Sequence, residues 1–168
     1  MFELKEFSIP IKGLNEGMHE FDYQIDKSFF QHFEASPIEE AQFDLKLFFD
    51  KRPDMIVLTF DLKGTVKTEC DRCLEELQLP ISNAPQLLIK YAVQEKEDAE
   101  IVYIQRERDE LNVTRYVYEF ICLSMPMIKY HSDTEECDAQ MLKYLDRDEE
   151  QQADNPIWDE LKNFDQKE

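Results

Sequence analysis

The chain has 168 residues, 42% of them hydrophobic and 12% aromatic, with 38 acidic against 19 basic side chains for a net charge of −19. Twelve Phe and seven Tyr exclude a disordered chain, and no apolar run is long enough to span a bilayer. The opening MFELKEFSIP carries two acids in its first six residues and no small-residue cleavage site, so it does not read as a secretory signal, and the cytoplasm is the expected compartment.

Affinity for bare nucleic acid comes largely from Lys and Arg neutralising phosphates. No basic cluster here is denser than Lys51-Arg52, so direct RNA contact is disfavoured. A basic partner, such as a ribosomal or RNA-processing protein, suits the charge. Acidity that serves only solubility suits it equally well.

In chain order, the first two-thirds reads mostly as strand. Phe21, Tyr23 and Ile25 alternate with Asp22 and Gln24, and Phe43, Leu45 and Leu47 alternate with Asp44 and Lys46. This period of two marks a sheet with one wet face. Residues 27–33 (KSFFQHF) suggest a short helix. Asp50-Lys51-Arg52-Pro53-Asp54 punctuates, and MIVLTFDLKGTV returns as an antiparallel partner. LEELQLPIS, PQLLIKYAV and EIVYI supply three further strands.

The stretch from about 112 to 124 changes period. At ~100° per residue, Val113, Tyr116, Val117, Phe120, Ile121, Leu123 and Ser124 share one side. Thr114, Arg115, Tyr118, Glu119 and Cys122 fall on the other, giving an amphipathic helix. Asn112 or Asp109 is positioned to cap its start, and Pro126 lies just past its end. The expected fold is therefore α+β: a mostly antiparallel sheet with this one main helix packed on it. Residues 1–145 are expected to form one domain.

Residues 132–168 hold thirteen acidic and four basic side chains, nearly half of the net charge. Residues 146–156 (DRDEEQQADNP) read as a solvated linker, followed by a short C-terminal helix in PIWDELKNF. Its Ile157, Trp158, Leu161 and Phe164 recur at helical spacing and must dock somewhere, on the chain itself or on a partner.

Gly13, Gly17 and Gly64 are too scattered to build a phosphate-cradling loop. His19, His32 and His131 stand in no recognisable nucleophile or zincin motif. The sharpest chemical signal is Cys70-x-x-Cys73, a spacing that lets a tight turn aim two thiolates at one tetrahedral metal. Cys137, six residues after His131, would complete a Cys3His zinc site with that pair. Reduced thiols in the cytoplasm favour this over a disulfide. Ordinary unliganded thiols suit the pattern at least as well. A redox pair suits the strand-turn-strand context less, because such thiols sit at a helix N-terminus. Cys122 is a poor ligand by spacing.

GTVKTECDRCLEELQLPI resembles the centre of the YceD family, with its strand, C-x-R-C-L-type turn and second strand. NVTRYVYEFICLSMPMIKYH is similar to a second hallmark of that family, a helix with a Glu, here Glu119, closing on a Leu-x-x-Pro element, here Pro126. NPIWDELKNF looks like the family's closing helix. The resemblance spans about residues 40–164 and implies a bacterial cytoplasmic protein linked to accumulation of large-subunit ribosomal RNA. Many members carry several cysteines after the Pro. Here His131 takes the first of those positions, Cys137 follows, and the remaining thiols are absent.

The expected function is thus a non-enzymatic factor for large ribosomal subunit RNA accumulation or assembly, acting through a basic protein that Trp158, Leu161 and Phe164 help to hold. The alternatives are a thiol- or zinc-dependent enzyme built on the C-x-x-C pair, or a generic acidic adaptor.

Overall fold

A computed structural model describes residues 4–98, 101–133 and 136–151, with side chains described as far as residue 145. The fold is α+β, as expected. The strands are β1 (Ser8–Pro10), β2 (Gly17–Ile25), β3 (Glu40–Lys51), β4 (Met55–Glu69), β5 (Glu76–Asn83), β6 (Gln86–Tyr91), β7 (Lys96–Glu97), β8 (Ile101–Ile104) and β9 (Glu110–Asn112). The helices are α1 (Lys27–Phe30), α2 (Thr114–Ser124) and α3 (Ala139–Gln151), with a 3-10 turn at Lys5–Phe7. The main sheet runs β2-β3-β4-β6-β8-β7, with β5 also paired to β4, and β1 pairs separately with β9. Described pairings are antiparallel except β6–β8, which is parallel. No helix among the described residues is long and apolar enough to cross a membrane.

The chain divides into two compact units: Met1–Thr68 with Gln78–Met127, and Glu69–Leu77 with Ile128–Glu168. In the first unit, alternation becomes a core. Phe43, Leu45, Leu47 and Phe49 of β3 are buried, and their cross-strand partners on β4 are Gly64, Leu62, Phe60 and Leu58. Side chains of opposite register face water, where Lys46 pairs with Glu20 at 3.2 Å and Lys63 with Asp61 at 2.9 Å. Gly64 is required by close approach: a Cβ there would overlap the Gln42 carbonyl oxygen and lie 2.6 Å from the Phe43 ring.

The main helix differs from its expected phase. Val113, Val117 and Ile121 are buried, but Leu123 is 78% exposed and Tyr116 and Phe120 are only half-buried. Thr114, expected on the wet side, is fully buried because its Oγ1 accepts the Leu4 N–H at 3.1 Å. Tyr118, also expected outward, stacks on Phe33 with centroids 3.8 Å apart. The segment after α1 covers that flank, so the polar side is narrower than the wheel implies. Val113 occupies the N-cap without a side-chain bond; Asn112 Oδ1 supplies the cap by accepting the Thr114 N–H at 3.1 Å.

In the second unit, α3 occupies Ala139–Gln151, so the acidic stretch expected as linker begins in helix. Asp138 Oδ1 accepts the Gln140 N–H at 2.7 Å and starts that helix. The rest of the expected linker and the expected C-terminal helix, with Trp158, Leu161 and Phe164, lie outside the described residues.

Candidate metal centre

The second unit gathers the sulfur chemistry. After Glu69 the backbone makes a tight turn: Leu74 N–H donates to the Cys70 carbonyl and Cys70 N–H to the Glu75 carbonyl, both at 2.9 Å. Closing this turn places Leu74 at φ 62°, in the left-handed region that favours glycine. The segment 128–131 then lies along the turn. Asp71 N–H donates to the Lys129 carbonyl at 2.7 Å, and Lys129 N–H returns to Asp71 Oδ2 at 2.6 Å. The Arg72 guanidinium stacks over the Tyr130 ring, 4.2 Å from its centroid. These contacts deliver His131 to the cysteines, and Cys137 arrives just before α3.

All four residues singled out by spacing come together. One ligand atom from each of Cys70, Cys73, His131 and Cys137 lies within 4.8 Å of the others, and all four residues are buried. Cys73 Sγ and Cys137 Sγ approach the same nitrogen, His131 Nδ1, at 3.6 and 3.5 Å. Bond lengths of about 2.3 Å to sulfur and 2.0–2.1 Å to nitrogen put neighbouring ligands of a tetrahedral zinc roughly 3.5–3.8 Å apart. The two sulfur–nitrogen spacings meet that requirement.

The tautomer agrees as well. His131 Nε2 lies 3.3 Å from the Glu76 carbonyl, which can only accept, so Nε2 carries the proton. Nδ1 then offers a single in-plane lone pair. Two thiols cannot both donate well to one lone pair, whereas one cation can use it while drawing in both sulfurs.

The thiols are electrostatically unequal. Burial pushes the Cys70 thiol up, but backbone N–H groups of Cys73, Arg72 and His131, with the Cys73 thiol, more than offset this and bring it down to about 6. Burial and the adjacent Cys73 and Cys70 sulfurs push Cys137 up to about 11. Crowded sulfurs that cannot all ionise together are the condition a divalent cation relieves. The residues therefore fit zinc: three thiolates and one neutral imidazole would make up a closed set of four ligands.

Cys122 is not part of the group; it lies half-buried on α2, its thiol pushed up by burial. Glu119 pairs with Arg115 at 2.6 Å, and Arg115 also reaches Glu97 at 2.9 Å. Pro126 follows the end of α2 and is exposed. A cleft of about 380 Å³ includes Glu97, Arg108 and Arg115 in its lining. Both guanidinium groups are engaged, Arg108 with Glu95 at 3.2 Å, so the cleft offers no free cationic anchor from them. Neither the Asp71–Lys129 pairing nor the Glu76 carbonyl that orients His131 is legible in the sequence, because each uses a backbone group, which every residue carries.

No curated protein and no solved structure matches the chain. The family described as large ribosomal RNA subunit accumulation protein YceD matches residues 58–165, a stretch that takes in the C-x-x-C turn, α2 and both later ligands. With more than half of its length matched, the chain belongs to the YceD family.

Proposed function

We propose that this chain supports accumulation of large-subunit ribosomal RNA as a non-enzymatic binding factor. In this reading Cys70, Cys73, His131 and Cys137 hold a zinc ion that fixes the shape of the second unit. The ion's role is to cross-link the turn to the segment bearing His131 and Cys137. That unit then engages a basic ribosomal or RNA-processing protein, with the acidic tail and its Trp158, Leu161 and Phe164 adding to the contact.

The convergence of two sulfurs on one His131 nitrogen carries the reading. The charge supports the partner: Glu69–Leu77 and Ile128–Glu168 together hold seventeen acidic and six basic residues, a net of −11. Such a charge repels RNA and attracts a basic protein. A thiol enzyme has one point in its favour, the Cys70 thiol at about 6. That thiol is fully buried, however, and a reactive cysteine must be reached by its substrate. A ligand set made of four protein groups also leaves no open position for substrate.

Co-sedimentation of the tagged chain with ribosomal precursors on sucrose gradients tests the function. Association with large-subunit precursors, lowered in Cys73→Ser and weakened by salt, is expected. A chain that stays at the top of the gradient, with large-subunit RNA unchanged in its absence, would refute the reading. Deleting residues 146–168 tests the tail separately: undiminished association by the folded truncation would remove the tail from the contact.

A further inference from the structure

Leu74 breaks two rules at once. It adopts φ 62°, a conformation disfavoured for any residue with a Cβ and open to glycine. It is also 62% exposed, so its side chain returns little of that cost by burial. A glycine would close the same turn with less strain and no exposed apolar surface. Strain retained where packing does not explain it points to function.

The surroundings extend the observation. Leu74 follows Cys73 directly, so a ligand residue holds its backbone. Across the Asp71–Lys129 pairing lie Ile128, 65% exposed, and Tyr130, 46% exposed, the latter held under the Arg72 guanidinium. An apolar side chain on a stiff turn loses little freedom on binding, which is what a contact anchor needs. The unit that carries it has a net charge of −11. A partner suited to this unit is therefore positively charged and brings an apolar side chain of its own.

We infer that Leu74, on the turn that pairs with the segment bearing Ile128 and Tyr130, is the apolar anchor of a docking surface for a basic protein segment that bears an exposed aliphatic or aromatic residue. This rests on the proposed basic partner and assigns its contact to the metal-bound turn in addition to the tail. RNA is not the occupant: bases can stack on an aromatic ring, but a phosphate backbone would meet strong like charge.

The zinc-loaded full chain and its Leu74→Gly variant are titrated into two fluorescent peptides of equal positive charge, one with a central Leu and one with Ser, and into a single-stranded RNA oligonucleotide. The wild type should prefer the Leu peptide. Leu74→Gly should weaken that peptide by about tenfold or more and leave the Ser peptide within about twofold, as loss of one anchor predicts. Zinc content should be retained and the melting temperature unchanged or raised, because the variant relieves backbone strain. A fall in melting temperature would make Leu74 structural and overturn the inference. Equal binding of the Leu peptide by both proteins would overturn the anchor while leaving the basic partner standing. Binding of neither peptide would remove both, and Leu74-dependent binding of the RNA would replace the protein segment with nucleic acid.

Discussion

The two units are held together by different physics. In the first, twenty-six buried apolar residues form one cluster across β3, β4, β6, β8 and α2. In the second, the buried residues among those described are Cys70, Cys73, Leu77, His131 and Cys137, so a single aliphatic side chain accompanies the four candidate ligands. Burying apolar area stabilises by about 25 cal/mol per Å². The described part of the second unit buries too little to offset the entropy of ordering its backbone. Small units in that position use a metal or disulfides in place of a core. All four cysteines are free, and a metal held by Cys70, Cys73, His131 and Cys137 could take that part.

This contrast can be broken most directly by chelation. Zinc binding in comparable small sites supplies on the order of 10 kcal/mol of folding free energy. Hydrogen exchange after chelator treatment should show amides at 69–77 and 128–137 losing protection while β3 and β4 keep theirs. Uniform retention of protection would mean that the second unit has a hidden core.

The converse test strikes the first unit. Phe60 is fully buried opposite Leu47, and Phe60→Ala should cost about 3–5 kcal/mol in denaturant unfolding without changing zinc content. Half-buried Phe120, which meets the Phe60 ring edge at 5.0 Å, should cost less when truncated. Gly64→Ala forces a methyl against the Gln42 carbonyl and the Phe43 ring and should cost about 1–3 kcal/mol.

The smallest effect is a proton count. At pH 7 Cys70, with its thiol at about 6, is mostly ionised, while Cys137, at about 11, holds its proton. Zinc binding must expel that proton, so calorimetry in buffers of different ionisation enthalpy should find at least one released. Affinity should fall as the pH drops through 6 and Cys70 takes up a proton as well. In the metal-free chain the signs oppose. The lowered Cys70 value adds stability above its ordinary thiol range and loses it as pH falls towards 6. The raised Cys137 value adds stability below that range and loses it as pH rises towards 11.

Much of this contrast is legible in the residues, for reasons that differ between the units. Alternation at Phe43, Leu45 and Leu47 is dictated by the pleat, so the core strands follow from sequence. The phase of α2 does not, because the fates of Thr114, Tyr118 and Leu123 depend on whether Leu4, Phe33 or water faces them. Residues 146–151 form helix although their acids read as linker, since charge pattern reports solvation more readily than backbone conformation. The parallel β6–β8 pair depends on a crossover that local patterns do not encode. Cys70-x-x-Cys73 is legible because a turn fixes its geometry, and His131 and Cys137 because few other soft ligands exist in the chain. Leu74 stayed hidden because a leucine gives no warning of a left-handed backbone.

We propose that Cys70, Cys73, His131 and Cys137 hold zinc. Native mass spectrometry of the full chain, purified under reducing conditions without chelator, reads it directly. The predicted result is one zinc ion per chain, lost in the Cys70→Ser/Cys137→Ser double variant and kept in Cys122→Ser. A metal-free chain that stays metal-free when zinc is supplied, with the second unit still folded, would contradict it.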